Sequence, residues 1–598
     1  MIKDEIIKGL KKSFKKIVSY SPKDISLEKP SNSNFGDYSS NIAMIEYRNF
    51  AIDTHSHVPG NKPGINWVNI GNNPFELATN LVKELQLDST LVSKIEVVKP
   101  GFINFWISDE FLVSNVSDLL KKEKFDYPKY HFGKNKKIMV EFAHPNTHKL
   151  FHIGHLRNIS TGESVVRILE AVGNKVIRGN YQGDVGLHIA KCLYGIRNSQ
   201  FDINKLNNLQ ERIEFIGKMY SVGTKAYEDD ENAKQEIIKI NKMIYERDPE
   251  IMPLWTETRQ WSLDYFNENY KRFYSHFDRL YFESEIHQRG LEISKEILKK
   301  GILEKSQGAI VFNGKKYGLD TRVFINSLGF PTYEGKELAL AEKEFSDFGD
   351  LDKIIHTVTP EQTSFFKVTF KVEELLDEKK YKNKQYHLAY EWVKLKAGKM
   401  SSREGNVIEA NWLIDEVKKK ISEKFKCDEQ TTEILAVASV KYSFLKNGTQ
   451  TIIHFDIDES IAVDGNSAPY LIYTYVRCQS VLNKSQKLEV KNQKLNSKVK
   501  SEFNNETMKQ LNNDEINVLR LINQFPEIVQ QAALQLSSNL IANYLYNLAQ
   551  KYNYFYQKNK ILESEEKTKQ FRLMLTQAVG KIVKEGLYLL GIKTVEKM

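Results

Sequence analysis

The stretch "KKIMVEFAHPNTHKLFHIGHLRNISTGESVVRILEAVGNKVIRGNY", Lys136 to Tyr181, decides the fold. Its opening, "KKIMVEF", is an apolar, β-rich run that reads as a buried strand. "LRNISTGESVVRILEAVG" has helical spacing, with Val165, Val166, Ile168, Leu169 and Val172 as its apolar positions. "KVIRGNY" reads as a second strand. Strand, loop, helix and strand in that order are the unit of a doubly wound parallel sheet. The loop is not a glycine-rich phosphate loop. It carries His152-Ile-Gly-His155 at the mouth of the helix, beside free backbone N–H groups and the positive end of the helix dipole. Two imidazoles three apart lie near one face, and both can donate hydrogen bonds to a polyphosphate. Gly154 lets a flat base approach the backbone. Taken bare, the same HxxH also reads as a pair of metal ligands or surface histidines.

Downstream, "AGKMSSREGNV", Ala397 to Val407, is by itself an ordinary polar turn. Composition bounds the rest. At 598 residues the chain is too long for one core and predicts three or four domains. A content of 41% hydrophobic and 27% charged residues is that of a globular protein, and no apolar run approaches membrane-spanning length. Ile2, Ile6, Leu10 and Phe14 make one stripe, so the N-terminus reads as a docked helix rather than an import signal. Cys192, Cys427 and Cys478 lie far apart, which argues against a disulfide framework or a cysteine-rich structural zinc site and fits a reducing cytoplasm. The formal charge of +9 suits a polyanionic partner, although a chain rich in Lys and Asn throughout carries it without one.

The spacing predicts an N-terminal α+β domain over 1–108, closed by the alternating "KPGFINFWI", and a linker over 109–135. A nucleotide-binding domain follows over 136–410, interrupted by a charged helical insertion near 195–275. Its sheet resumes at "GAIVFNG", "TRVFINS" and "KIIHTVT". From 411 to 598 the chain reads as helices to the end. The aromatic stripes "PYLIYTYVRCQSVL" and "NYLYNLAQKYNYFYQ" there read as core rather than stacking platforms.

In its strand–helix setting, "HIGH" resembles the signature of class I aminoacyl-tRNA synthetases, and "KMSSR" resembles that class's KMSKS loop. More narrowly, the chain resembles arginyl-tRNA synthetases over nearly its whole length. "FGDYSSNIA" and "GFINF" look like that family's additional N-terminal domain. "VEFAHPNTHKLFHIGHLRN" and "GNYQGDVG" look like its extended HIGH region and the segment after it. "GNSAPYLIYTYVR", "NYLYNLAQKYNYFY" and the closing "LLGIKTVEKM" look like its anticodon-binding bundle. The resemblance implies a multidomain α/β protein: a doubly wound parallel-sheet (Rossmann-like) catalytic domain with a helical insertion, an N-terminal α+β domain and a C-terminal all-α bundle. It implies an arginine–tRNA ligase that uses ATP and substrate-associated Mg²⁺ to make arginyl-adenylate and then charges tRNA(Arg), as a cytoplasmic monomer with no structural zinc and no membrane partner.

Residue by residue, the resemblance makes His152, His155, Lys149 and Lys399 the catalytic groups. Gly154, Met400 and Ser401 join the two histidines around ATP. A guanidinium is a planar fork of donors that stays charged, so a selective pocket needs carboxylates aimed along that fork. The resemblance puts Glu283, Glu337 and Tyr333 there, with Asn146 and Gln362 at the α-substituents and Glu141 at the strand end. Tyr333 and Glu337 are four apart and would share a helix face. Three departures stand out. The family more often has Asp at the position of Glu337. His144 and His148 replace small residues. The second lysine of KMSKS is Ser402, which makes Lys149 a candidate substitute cation. The rivals are another class I synthetase, of which the zinc-binding cysteinyl type fits worst, and a non-catalytic tRNA-binding paralogue.

Overall fold

In a computed structural model of the chain, residues 2–19, 21–30, 32–52, 70–122, 125, 135–396, 408–491 and 511–598 are described. The first helix follows its stripe. Ile6, Leu10 and Phe14 are buried along α1 (Ile2–Val18). It is followed by β1 (Tyr38–Ser40), α2 (Ile42–Ile52), α3 (Pro74–Glu84), β2 (Val92–Val98) and β3 (Phe102–Ile107). The three strands form an antiparallel sheet in the order β1-β3-β2. Ile103, Phe105 and Ile107 alternate into its core, as the pattern "FINFWI" requires. Ser108 then caps α4 (Asp109–Lys121), its hydroxyl accepting the Phe111 N–H at 3.1 Å.

The chain forms two units. One comprises Met1–Asp126, Val481–Gln524 and Gln550–Val579, the other Tyr127–Ser480, Phe525–Ala549 and Gly580–Met598. The second is built on a parallel sheet. The predicted first strand is β4 (Lys137–Glu141), and the helix after it is α5 (Ile153–Ala171). The predicted second strand is β5 (Lys175–Gln182). The charged insertion is helical: α6 (Leu187–Asn198), α7 (Leu209–Asp229), α8 (Glu231–Glu246) and α9 (Met252–Arg272). Then come β6 (Arg279–Phe282), α10 (Glu283–Lys299), β7 (Glu304–Ser306), β8 (Ala309–Phe312), β9 (Arg322–Ile325), α11 (Tyr333–Phe348), β10 (Lys353–Val358), α12 (Thr363–Leu376), β11 (Gln385–Ala389) and β12 (Val393–Leu395).

Five of these strands pair in the order β11-β10-β4-β5-β6, all parallel. Met139, Tyr281 and Ile354 of the sheet pack with Ile293 and Ile297 of α10, Leu338 and Leu340 of α11 and Val368 and Val372 of α12. From β4 the chain winds outward one way through β5 to β6, and the other way through β10 to β11. The order therefore reverses at β4, and the crevice outside the carboxyl ends of β4 and β10 is where such a sheet holds ligands.

Two details differ from the sequence reading. "GAIVFNG" and "TRVFINS" do not resume the parallel sheet. They are β8 and β9 of a separate antiparallel sheet, β7-β8-β9. Gln307 and Gly308, both at positive φ (49° and 79°), make the tight turn that folds β8 back on β7. Beyond 410 the described residues are helical but for loops and one short strand. Besides a single turn at Ile457–Ser460, the helices are α13 (Ala410–Lys424), α14 (Glu429–Leu445), α15 (Ala468–Lys491), α16 (Asn513–Gln535), α17 (Asn539–Lys558) and α18 (Glu566–Leu589), and the strand is β13 (Ile453–Phe455), parallel to β12. The aromatic stripes divide. Tyr475, Tyr544, Tyr552 and Phe555 are buried, while Tyr473, Tyr554 and Tyr556 are exposed.

Candidate active site

The turn that leaves β4 is under strain. Ala143, His144 and His148 all have positive φ (80°, 49° and 63°), a region costly to residues with a Cβ. Its hydrogen bonds hold it there. The Ala143 N–H donates to Asn158 Oδ1 at 2.6 Å, and the Asn158 amide donates to the Thr357 carbonyl at the end of β10. The His144 N–H donates to Asn180, the Thr147 N–H to the Gly183 carbonyl, and the His148 N–H to Ser262. The unusual His148 is a buried spacer, its ring between the Thr147 and Thr258 hydroxyls. Burial pulls it down to about 3, so it is neutral.

At the mouth of α5 the two predicted histidines form the helix cap. The His152 Nδ1 accepts the Gly154 N–H, and the His155 Nδ1 reaches back to accept the His152 N–H, each at 3.1 Å. Their rings lie 3.9 Å apart. An Nδ1 that accepts carries no proton, so in each ring the proton is on Nε2, the one remaining donor. Burial, with Lys149 nearby, lowers the pKa of both rings, that of His155 strongly. They are therefore neutral donors at neutral pH. Gly154 has a further reason: a Cβ there would lie 2.8 Å from His152 Cε1, inside the capping pose. Lys149 Nζ lies 5.5 Å from the Tyr220 ring of the insertion, close enough to both histidines to depress them.

Lys399, Met400, Ser401 and Ser402 lie outside the described residues. Ile408 and Ala410, further along, are hydrogen-bonded to the histidine turn. The Ile153 N–H donates to the Ile408 carbonyl and the Ala410 N–H to the Phe151 carbonyl, both at 2.9 Å.

The residues predicted for the amino acid are gathered from five segments. Asn146 is exposed on the turn and bridges to Gly183, where an added Cβ would fall 2.1 Å from the Asn146 Oδ1. Gln362 is exposed just past the end of β10. Glu283 begins α10, buried, and pairs with Lys336 at 3.0 Å. Tyr333 and Glu337 lie on α11 but in different surroundings: Tyr333, the first helical residue, is 66% exposed, and Glu337 is 5% exposed.

Glu141 ends β4 directly opposite His356 of β10. Its Oε1 is 3.5 Å from His356 Nδ1 and 3.5 Å from His144 Nδ1. Burial alone would neutralise Glu141 and His356. Their mutual attraction wins, holding Glu141 low and His356 high, so they form a buried ion pair. Glu337 Oε1 lies 4.0 Å from His356 Nδ1. Burial, with Glu141 adding repulsion, raises Glu337 to about 7 against the pull of His356.

Several members of this network are absent from the sequence reading. Lys336 is one. Gln385 is another: its side chain receives a hydrogen bond from His356 Nε2 at 3.0 Å and donates to Glu373 at 2.7 Å. Buried Glu373 and Glu344 sit behind Glu337 and Glu141, and burial with those neighbours keeps both raised. Tyr181 points a buried hydroxyl, without a hydrogen bond among the described residues, among Glu283, Glu337 and Glu141. The signal for Glu344 and for His356 is a charged residue inside an apolar run. Glu337, Ala341 and Glu344 follow helical spacing in "KELALAEKEF", and His356 interrupts "KIIHTV".

This arrangement places neutral N–H donors at a helix N-terminus, with acid-lined space at the adjacent strand ends. It can steady a phosphate and a cationic side chain at once. Among the described residues, no group of three or more His, Cys, Asp or Glu is placed to hold a metal ion, and no helix is long and apolar enough to cross a membrane.

Three family models match in chain order. They are the arginyl-tRNA synthetase N-terminal domain over 2–107, the class I (R) tRNA synthetase catalytic domain over 115–460, and the DALR anticodon-binding domain over 471–598. Among curated proteins, the arginine–tRNA ligase of Fusobacterium nucleatum is 31% identical over 588 residues, 96% of each chain. That of Flavobacterium psychrophilum is 31% identical over 558 residues, 88% of this chain and 90% of its own. Among solved structures, Thermus thermophilus arginyl-tRNA synthetase superposes with a TM-score of 0.78 at 21% identity over 100% of both chains. The Plasmodium falciparum enzyme does so with 0.77 at 20% over 100% of this chain and 99% of its own. These two likenesses concern the fold.

Proposed function

This chain belongs to the class I arginyl-tRNA synthetases, and from that premise we propose how its residues carry out the arginine–tRNA ligase reaction. The arginine carboxylate oxygen attacks the α-phosphorus of ATP, the bond to pyrophosphate breaks, and arginyl-adenylate forms. A hydroxyl of the tRNA(Arg) 3′-terminal ribose then attacks the carbonyl carbon, and AMP leaves. The observation that carries the site assignment is the capped histidine pair at the reversal of the sheet order, which leaves two Nε2–H donors beside a helix N-terminus.

We assign the Nε2–H groups of His152 and His155 to the α-phosphate as it becomes five-coordinate, and the ammonium groups of Lys149 and Lys399 to the departing pyrophosphate. Gly154, Met400 and Ser401 are assigned to the nucleotide. Asn146, Gln362 and Glu141 are assigned to the α-amino and α-carboxylate groups, and Glu283, Glu337 and Tyr333 to the guanidinium. The enzyme positions reactants and neutralises charge, and no covalent nucleophile is needed. We assign Mg²⁺ to the ATP phosphates, as a substrate-associated ion.

We further propose that residues 1–108 and 411–598 grip the tRNA, that 109–135 link the first of these to the catalytic domain (136–410), and that the enzyme works as a monomer in the cytoplasm. Light scattering of the pure enzyme with and without tRNA checks the last point. The specificity test is aminoacylation of total tRNA across the twenty amino acids. Arginine is expected to be charged, with lysine at least about a thousandfold less efficient in kcat/KM, or roughly 4 kcal/mol. Comparable kcat/KM for lysine, or preference for another amino acid, would overturn the assignment of Glu283 and Glu337.

A further inference from the structure

Lys336 sits one residue before Glu337 on α11, buried at the amino-acid end of the site. Its Nζ is 3.0 Å from Glu283 Oε2 and 3.4 Å from the Tyr245 hydroxyl. It also lies 5.2 Å and 5.8 Å from the ring centroids of Tyr333 and Tyr245. A carboxylate flanked by two aromatic faces is how a protein seats a cation. Here that seat is filled by the protein's own ammonium. Both side chains are nearly dry (8% and 6% exposed), so water screens their charges weakly. The other carboxylate oxygen, Glu283 Oε1, is on the side of Gly183 and Asn146: an added Cβ at Gly183 would come within 3.8 Å of it.

We propose that Lys336 is the specificity-determining residue that rejects amino acids ending in a single ammonium and so reserves the pocket for a guanidinium. The inference rests on the arginine reading and deepens it. A lysine or ornithine ammonium is a compact, strongly hydrated point charge. On entering, it meets a carboxylate whose charge is already met and a like charge a few ångströms away. It has no second planar set of donors with which to recruit another acceptor. A guanidinium spreads its charge, sheds water more readily and stacks on aromatic faces. Its fork reaches Glu283 Oε1 with one edge and Glu337 with the other, while Lys336 keeps Oε2. Discrimination then comes from a repulsive element built into the pocket as well as from the attractive ones.

The test uses the full-length enzyme with tRNA(Arg), reading kcat/KM for arginine, lysine and ornithine in the wild type and in Lys336→Met and Lys336→Arg. In Lys336→Met, Glu283 is left unpaired, and an incoming ammonium takes the vacated seat. The arginine-to-lysine and arginine-to-ornithine ratios are expected to fall by about tenfold or more, and lysine to become a correspondingly better competitive inhibitor of arginine charging. Lys336→Arg keeps a cation on Glu283, so its ratios are expected to stay within about threefold of the wild type. Equal losses for all three substrates, with the ratios unmoved in Lys336→Met, overturn the proposal and leave Lys336 a packing residue. If thermal melting shows that Lys336→Met does not fold, Lys336→Arg decides: kept ratios support the proposal, and collapsed ratios with the cation retained overturn it. A wild type that does not charge arginine is the failure of the arginine reading itself, visible before any variant is made.

Discussion

At the mouth of α5 the polar groups are neutral imidazoles pinned by backbone N–H groups, whereas at the foot of α11 they are carboxylates and cations pinned by one another. His152 and His155 each use Nδ1 in the helix cap, which leaves Nε2–H as the remaining donor. Glu141 is held by His356, Glu283 by Lys336, and Glu337 lies between the pull of His356 and the repulsion of Glu141. The first design delivers donors whose charge does not change near neutrality. The second keeps several ionisable groups in a dry space, where removing one partner strands another. One end should thus be indifferent to pH and to its neighbours, and the other sensitive to both.

The largest expected effect tests the neutral end. Replacing His152 or His155 by Ala is expected to lower kcat by roughly 10²–10³, by analogy with losing one donor to a developing oxyanion. The arginine KM should stay within about threefold, because the lost group is the one assigned to phosphate. A loss confined to the arginine KM would erase the distinction between the two ends.

Gly154→Ala sharpens it. The helical backbone tolerates Ala, so the lesion is only the Cβ that would sit 2.8 Å from His152 Cε1. A displaced imidazole about an ångström out of place is expected to cost roughly 10² in kcat with the fold intact. Unchanged kcat would mean that the capping pose is not the working pose. A smaller effect, about tenfold in kcat, is expected from Lys149→Ala, with the arginine KM unmoved. Its charge already depresses both histidines, which fits a place beside the phosphates. If kcat for this variant stays at the wild-type value, Lys149 is not a substitute for the lysine that Ser402 displaces.

The two ends also differ in how far the sequence reveals them. The histidine end is contiguous: strand, turn, His-x-Gly-His and helix occupy one run, and local periodicity places them. The capping role of the imidazoles is not readable there, because His is an uncommon cap and its tautomer depends on which N–H it meets. The acid end is assembled from β4, β5, α10, α11, β10, α12 and β11, and no spacing rule joins such segments. Glu283 and Glu337 were reachable only through likeness to a family. Lys336, Gln385, Glu344 and Glu373 were not reached, because a polar residue on a helix or strand looks solvated until its burial is known. The hairpin of β7 and β8 shows the same limit. Its turn is local, but which sheet its strands join is not.

The last prediction separates the ends by pH. Glu337 is raised to about 7, by burial first and by repulsion from Glu141 next. A bound guanidinium favours its ionised form. Below about pH 7 arginine must therefore displace a proton as it binds, and above that it need not. For one group the apparent affinity falls by a factor approaching ten per pH unit on the acid side, so the arginine KM at pH 6 should be about tenfold that at pH 8. The sign for folding is the opposite. A carboxyl that keeps its proton to a higher pH in the folded chain stabilises that chain most at low pH. The contribution is lost as pH rises from the ordinary carboxyl value of 4.5 through about 7. His152 and His155, both lowered from 6.5, stay neutral across the window, so kcat at saturating arginine should be level from pH 7 to 8.5. Glu337→Gln removes the titrating group. Its arginine KM should be higher than that of the wild type at pH 8 and nearly independent of pH. A wild-type KM that is level from pH 6 to 8, or a Glu337→Gln enzyme that keeps the full slope, would show that the proton belongs to another group, and that Glu337 does not carry the pH sensitivity assigned to this end of the site.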